Sequence, residues 1–359
     1  MSIHRRFLVH AIRWTGLLYA AGLFAADPST DPRVAKLAAE VSQKGWIAYS
    51  GKTDKGDWDI FLMRPDGSHR RNLTNTPEFS ELAVRFSPDA RKILFRRIPL
   101  GVKIQHDSLG ALGQLVIASW DGSKPEVYGD TGDCSWATWS PDGKELACLT
   151  KTGIELRDLA TKQVVRKLDR KGIFQQLSWS PDGKWFLGTA NAFGETWTIV
   201  RMNAQTGDVN AIAKFQNCTP DWFPDSARSI NSYRPANQEE FDGGKLSGAV
   251  KQKPGYGWTQ LWMTDTDGGH RRLVLGEDGK HVYGGNVSPD GKYILFARAN
   301  TDGGMDTAVM GIMRLADTPA IRGESVALRK LHPEAKDALM IDLPQGWEPH
   351  WTYAKLGSK

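Results

Sequence analysis

Cysteine is scarce in this chain, with Cys134, Cys148 and Cys218 the only three in 359 residues. Three scattered thiols cannot build a disulfide framework, and without a C-x-x-C spacing they carry no zinc or redox motif. Buried single thiols are the expectation. Long apolar runs are also lacking. The run after Arg13 covers about 13 residues, short of the ~20 that a spanning helix needs, so no stable transmembrane span is expected. Charge of one sign is missing as well. The formal charge of +5 falls to about +2 without Arg5, Arg6 and Arg13, and dispersed near-neutral charge gives no electrostatic case for nucleic acid. The chain has no G-x-S-x-G elbow, no H-E-x-x-H pair, no Walker loop and no dinucleotide fingerprint. No cofactor is expected from it.

The first 26 residues read as an export signal. Arg5 and Arg6 supply the positive start, Trp14 to Ala26 is apolar apart from Thr15, and Ala20, Ala21, Ala25 and Ala26 offer small residues for cleavage. The protein is therefore expected to be periplasmic or secreted. Residues 27–45 hold a short helix candidate or linker. Asp31 is its N-cap, Pro32 sits in its first turn, Val34, Leu37, Ala38 and Val41 share one face, and Gly45 is the stop.

The remainder, 46–359, is organised by repetition. A phrase built on Ser-Pro-Asp recurs at Phe86–Asp89, Trp139–Asp142, Trp179–Asp182 and Val287–Asp290, with a degenerate copy at Trp222–Asp225. Blade-sized repetition is the signature of a β-propeller. In the third copy, Gln175–Ser180, Trp185–Thr189, Thr196–Arg201 and Val209–Lys214 read as four strands joined by tight turns, which make one antiparallel blade. Trp46–Tyr49, Asp57–Met63 and Arg71–Thr74 read as strands two to four of a blade whose first strand is absent. Glu348–Thr352, near the other end, resembles the missing strand.

The expected fold is therefore an all-β, six-bladed propeller, closed by pairing of the carboxy-terminal strand with the amino-terminal ones. Its anchors are Phe86, Trp139, Trp179, Trp222, Val287 and Trp351, read as core residues. Each turn aspartate is expected to accept hydrogen bonds from its own backbone. Insertions are expected at 97–113, 233–257 and 317–336. The turn Asp265-Thr266-Asp267-Gly268 lacks the distal ligands of a calcium loop and reads as a β-turn.

Trp179-Ser180-Pro181-Asp182-Gly183-Lys184, with the Asp59–Thr74 half-repeat and the Trp258–Leu273 stretch, resembles the TolB-like propeller repeat over about residues 46–354. The resemblance implies a six-bladed propeller. The best-known member is periplasmic, binds other envelope proteins, and carries an α/β domain before its propeller, for which residues 27–45 leave no room.

In such a ring, the loops joining strands two and three share one face with those joining consecutive blades, and loops on a rigid frame tend to carry function. The binding-face candidates are His106, Asp133, Gln175, Asn217, Glu239, Tyr256, His281 and His350. A monomeric, non-catalytic scaffold taking a partner protein, a peptide or a carbohydrate is the first expectation. An enzyme acting on polysaccharide is the alternative, with His106, His281 and His350 holding a metal beside Glu239, Glu240 and Asp242.

Overall fold

The computed structural model describes residues 31–102, 104, 113–128, 134–214, 216–234, 259–277, 280–301, 303–317 and 339–356. The proposed leader and the segments 235–258 and 318–338 lie outside the described residues.

Helix α1 (Pro32–Val41) opens this part of the chain. The Asp31 carboxylate caps it by accepting from the Arg33 N–H at 2.8 Å, which satisfies one of the orphan donors of the first turn. Three strands follow: β1 (Trp46–Lys52), β2 (Trp58–Met63) and β3 (Arg71–Asn72). Blade 2 is β4 (Phe79–Phe86), β5 (Lys92–Pro99), β6 (Gln114–Ser119) and β7 (Glu126–Val127). Blade 3 is β8 (Cys134–Trp139), β9 (Glu145–Thr150), β10 (Ile154–Asp158) and β11 (Val164–Leu168). Blade 4 is β12 (Ile173–Trp179), β13 (Trp185–Ala192), β14 (Glu195–Asn203) and β15 (Val209–Ala213). Blade 5 is β16 (Asn217–Trp222), β17 (Arg228–Tyr233), β18 (Gln260–Asp265) and β19 (Arg271–Leu275). Blade 6 is β20 (His281–Val287), β21 (Tyr293–Ala299), β22 (Val309–Arg314) and β23 (Met340–Gln345).

The last strand, β24 (Trp347–Thr352), pairs antiparallel with β1, Trp351 opposite Ile47 and His350 opposite Ala48. It supplies the inner strand that β1–β3 lack, so blade 1 is built from both ends of the chain. The result is a six-bladed propeller. Closure removes the two edges that an open array of sheets would expose to other chains.

Helix α1 packs where the chain ends meet. Leu37 and Val41 are fully buried among Ile47, Met63 and Trp351 of blade 1 and Leu295 and Ile312 of blade 6. Glu40 accepts from the Tyr293 hydroxyl and from the Arg314 guanidinium at 2.5 Å, tying the helix to blade 6. Gly45 then turns the chain into β1 with φ at +75°. A Cβ there would meet the Thr352 carbonyl oxygen at 1.8 Å, so the close approach of the two ends requires glycine.

The turn aspartates act within their own turns. Asp89, Asp142, Asp182 and Asp290 each accept from the serine hydroxyl two residues earlier and from the N–H two residues later. Those bonds hold each carboxyl below its ordinary range. Asp265–Gly268 is a turn closed by the Gly268 N–H on the Asp265 carbonyl at 2.9 Å. Cys134, Cys148 and Cys218 are buried thiols outside any disulfide.

Five of the six anchors are buried, and Trp179 is only half-buried. The difference has a local cause. Trp139 and Trp222 direct their indole N–H groups across to the previous blade, onto the carbonyls of Arg85 (3.3 Å) and Ser178 (3.0 Å). Trp179 donates instead to Gly183 of its own turn at 3.0 Å.

Candidate functional site: the channel and its loop face

The first strand of each blade lines the central channel. The residue before each anchor is polar in all six copies: Arg85, Thr138, Ser178, Asp221, Asn286 and His350. These side chains latch neighbouring blades together. Ser178 Oγ donates to Asp221 Oδ1 at 2.8 Å, and Asn286 Nδ2 donates to Asp221 Oδ2 at 2.7 Å. Asn286 Oδ1 accepts from the Trp351 N–H at 2.9 Å, and His350 Nδ1 accepts from the Phe86 N–H at 3.2 Å. With the Trp139 bond to Arg85, a run of contacts passes from blade 4 through blades 5, 6, 1 and 2 to blade 3. Its signal in the sequence is the unbroken polarity of one repeat position.

Three residues before the anchor, the backbone turns left-handed in five blades. Ala83, Gln176, Thr219 and Glu348 have φ between 49° and 57°, and Gly284 supplies the fifth at 57°. Four of the five are not glycine, at a cost of about 1–3 kcal/mol each. Every first strand in blades 2 to 6 carries a register shift close to this level, as expected for a β-bulge. The bulges re-aim backbone around the channel at one height.

The channel is narrow there. The enclosed space among Arg85, Gln175, Gln176, Asp221, Asn286 and Glu348 is about 40 Å³. A single water needs ~10–15 Å³ on this measure, so this space has room for ordered water. Two buried acceptors, Oε1 of Gln175 and of Gln176, have no partner here, which is consistent with waters at the waist.

The sequence-predicted residues fall at different levels. His106, Asp133, Glu239 and Tyr256 lie outside the described residues, as do Glu240 and Asp242. Gln175 is in the channel lining. Asn217 is fully buried and spent on its own blade: its Oδ1 accepts from Asn231 and Arg271, both at 2.9 Å, and its Nδ2 donates to Lys214. His281 begins β20, and its Nδ1 accepts from the Thr259 N–H at 3.3 Å.

His350 is the fourth residue of β24, next to its anchor, within the strand expected at Glu348–Thr352. Burial, then the Arg85 guanidinium, lowers its pKa to about 3, so it is a neutral acceptor. His281 lies six positions before its anchor and His350 one. At ~3.3 Å per residue along strands running the same way, they are offset by roughly 16 Å. The structure does not bring these two histidines to one ion. Among the described residues, no three His, Cys, Asp or Glu side chains are grouped to hold a metal.

What the loop face does present is apolar. Leu100 and Val102 stand on the β5–β6 connection, Phe193 on the β13–β14 turn, and Val309 at the start of β22. These are four of the six large hydrophobic side chains exposed among the described residues, Leu100 being 50% and Phe193 47% accessible. They occupy blades 2, 4 and 6. The corresponding turns of blades 1 and 3, Thr53–Gly56 and Lys151–Gly153, are short and polar.

No protein-family model and no curated protein sequence matches the chain. Solved structures do. TolB from Acinetobacter baumannii superposes over 87% of this chain and 67% of its own, with a TM-score of 0.60 and 19% identity. The fold is the TolB-like propeller. A protein assigned as TolB from Agrobacterium tumefaciens matches 83% of this chain and 96% of its own (TM-score 0.52, 17% identity). A chain of the nidogen/laminin complex matches 76% and 90% (TM-score 0.53, 12% identity). At these identities the TolB likeness is one of architecture. Among the described residues, no helix is long and apolar enough to cross a membrane.

Proposed function

We propose that this chain is an exported, non-catalytic scaffold whose loop face takes an extended segment of a partner protein. The observation that carries the reading is the set of apolar tips: Leu100, Val102, Phe193 and Val309 ring the face that the channel opens onto. Scattered single hydrophobics are ordinary on a surface, whereas apolar groups gathered on one face point to an interaction site. Export rests on the leader pattern in residues 1–26, and the propeller spans 46–359 in this reading.

The channel supports a binding role over turnover. A hydrolase or lyase needs polar groups free to converge on substrate, and Ser178, Asp221 and Asn286 of the described channel lining bond to one another between blades. One protein of similar architecture belongs to a complex, nidogen with laminin. The test is a triple variant, Leu100→Ser, Val102→Ser and Phe193→Ser, used as bait in cross-linked envelope extracts beside the parent chain. Exposed substitutions of this kind change stability by only about ±0.5 kcal/mol, so the melting temperature should hold while the partners captured by the parent are lost. Capture equal to the parent's would refute the reading.

A further inference from the structure

A second cleft lies on the opposite side of the ring, at the ends of the strands that begin and close blade 1. It is lined by Trp46, Arg64, Arg71, Trp120, Tyr353 and Lys355, among others, and its volume is about 530 Å³. This is within the ~300–1,000 Å³ usual for small-molecule sites. It is separate from the loop face, and its fate does not depend on the function proposed above.

The chemistry of the cleft is one-sided. Three cationic side chains line it and no carboxylate does. Arg64, Arg71 and Lys355 make no ion pair among the described residues, although the nearby turns contain aspartates. Those aspartates are engaged elsewhere: Asp66 accepts from the N–H and hydroxyl of Ser68 at 3.0 and 2.6 Å, and Asp121 does the same with Ser123. Aromatic faces hold the guanidinium groups in place. Arg64 lies 3.8 Å over the Trp46 ring, and Arg71 sits between Trp46 (5.9 Å) and Trp120 (4.9 Å). Arg64 spends part of its N–H edge on the Gly45 carbonyl at 3.0 Å, and stacking of this sort orients an arginine while leaving its remaining N–H groups for a ligand.

We infer that this cleft binds a small molecule carrying a phosphate monoester. A tetrahedral dianion can accept from several donors at once, which suits two arginines and a lysine better than a planar monocarboxylate does. The cleft is also larger than the anion alone. Trp46, Trp120, Tyr353 and Leu356 leave apolar wall for an organic body.

The test is calorimetric titration of the full chain with phenyl phosphate, inorganic phosphate and benzoate, and co-sedimentation with phosphatidylglycerol vesicles. Phenyl phosphate is expected to bind 1:1 and more tightly than either small anion. Arg71→Gln and Lys355→Gln, both at exposed positions, should each weaken it about tenfold, while Lys151→Gln on the other face leaves it unchanged. Affinity should fall as pH drops through the second phosphate pKa of about 6. No saturable binding, equal binding of benzoate, indifference to both cleft variants, or binding to vesicles alone would each overturn the inference.

Discussion

The indole Nε1 of Trp351, in the last strand, donates to the carbonyl of Lys44, just before the first strand, at 2.7 Å. The two residues are 307 positions apart, and the bond sits in the seam that makes the sheets a ring. Trp351→Phe keeps most of the packing and loses this bond, so it should cost about 1 kcal/mol. Trp351→Ala should cost about 3–5 kcal/mol. Urea denaturation measures both, and a Trp351→Phe variant as stable as the parent would show that the bond contributes nothing.

Helix α1 belongs to the same seam. Leu37 is fully buried between blades 1 and 6, so Leu37→Ala should lower stability by about 2–5 kcal/mol. A loss below about 0.5 kcal/mol, the range of ordinary surface changes, would mean that the helix is only loosely docked in solution.

A buried acid pair predicts a pH dependence of unusual sign. Glu81 of β4 and Asp59 of β2 are each 1% exposed, and Thr74 Oγ1 lies 3.2 Å from Asp59 and 3.3 Å from Glu81. Burial first, with the Asp59 charge adding to it, raises the Glu81 pKa from 4.5 to about 8. The folded state therefore holds a proton that the unfolded state has already released. Stability should fall as pH rises from about 4.5 to about 8, and level off beyond. Glu81→Gln mimics the protonated acid, so its stability should vary less across that window. Denaturation midpoints measured at several pH values give the answer, and an unchanged slope in the variant would count against the shift.

His350 has the opposite linkage. Its folded pKa of about 3 is below the ordinary 6.5, so only the unfolded chain takes up this proton as pH falls from about 6.5 toward 3. That uptake erodes stability on the acid side. Nitrogen-detected imidazole spectra at pH 5 should show a neutral ring with Nδ1 unprotonated, because Nδ1 accepts from Phe86. A ring titrating near 6.5 would place it in water.

Much of this architecture is legible in the residues. The turn motif dictates blade number because proline, aspartate and glycine set a local geometry that needs nothing from elsewhere. The pairing of Glu348–Thr352 with Trp46–Tyr49 follows from one blade lacking a strand and one strand lacking a blade. The channel is less legible. Gln176, Thr219 and Glu348 have no intrinsic preference for positive φ, and only the packing of six strands around one axis puts them there. The height of His350 in the channel is not legible either, because the alternation of a strand says which face a residue takes, while height depends on register against the other blades. Phe193 and Leu100 are not legible as a site, since an isolated apolar residue in a loop carries no pattern until the fold sets several on one face.

The account turns on that gathered face. A photo-crosslinking residue placed at Phe193 or Leu100, with Val165 on β11 as an equally exposed apolar control, tests it in intact cells. The account predicts discrete adducts of one mass from both loop-face positions and none from Val165. Adducts from all three positions alike, or from Val165 alone, would contradict it.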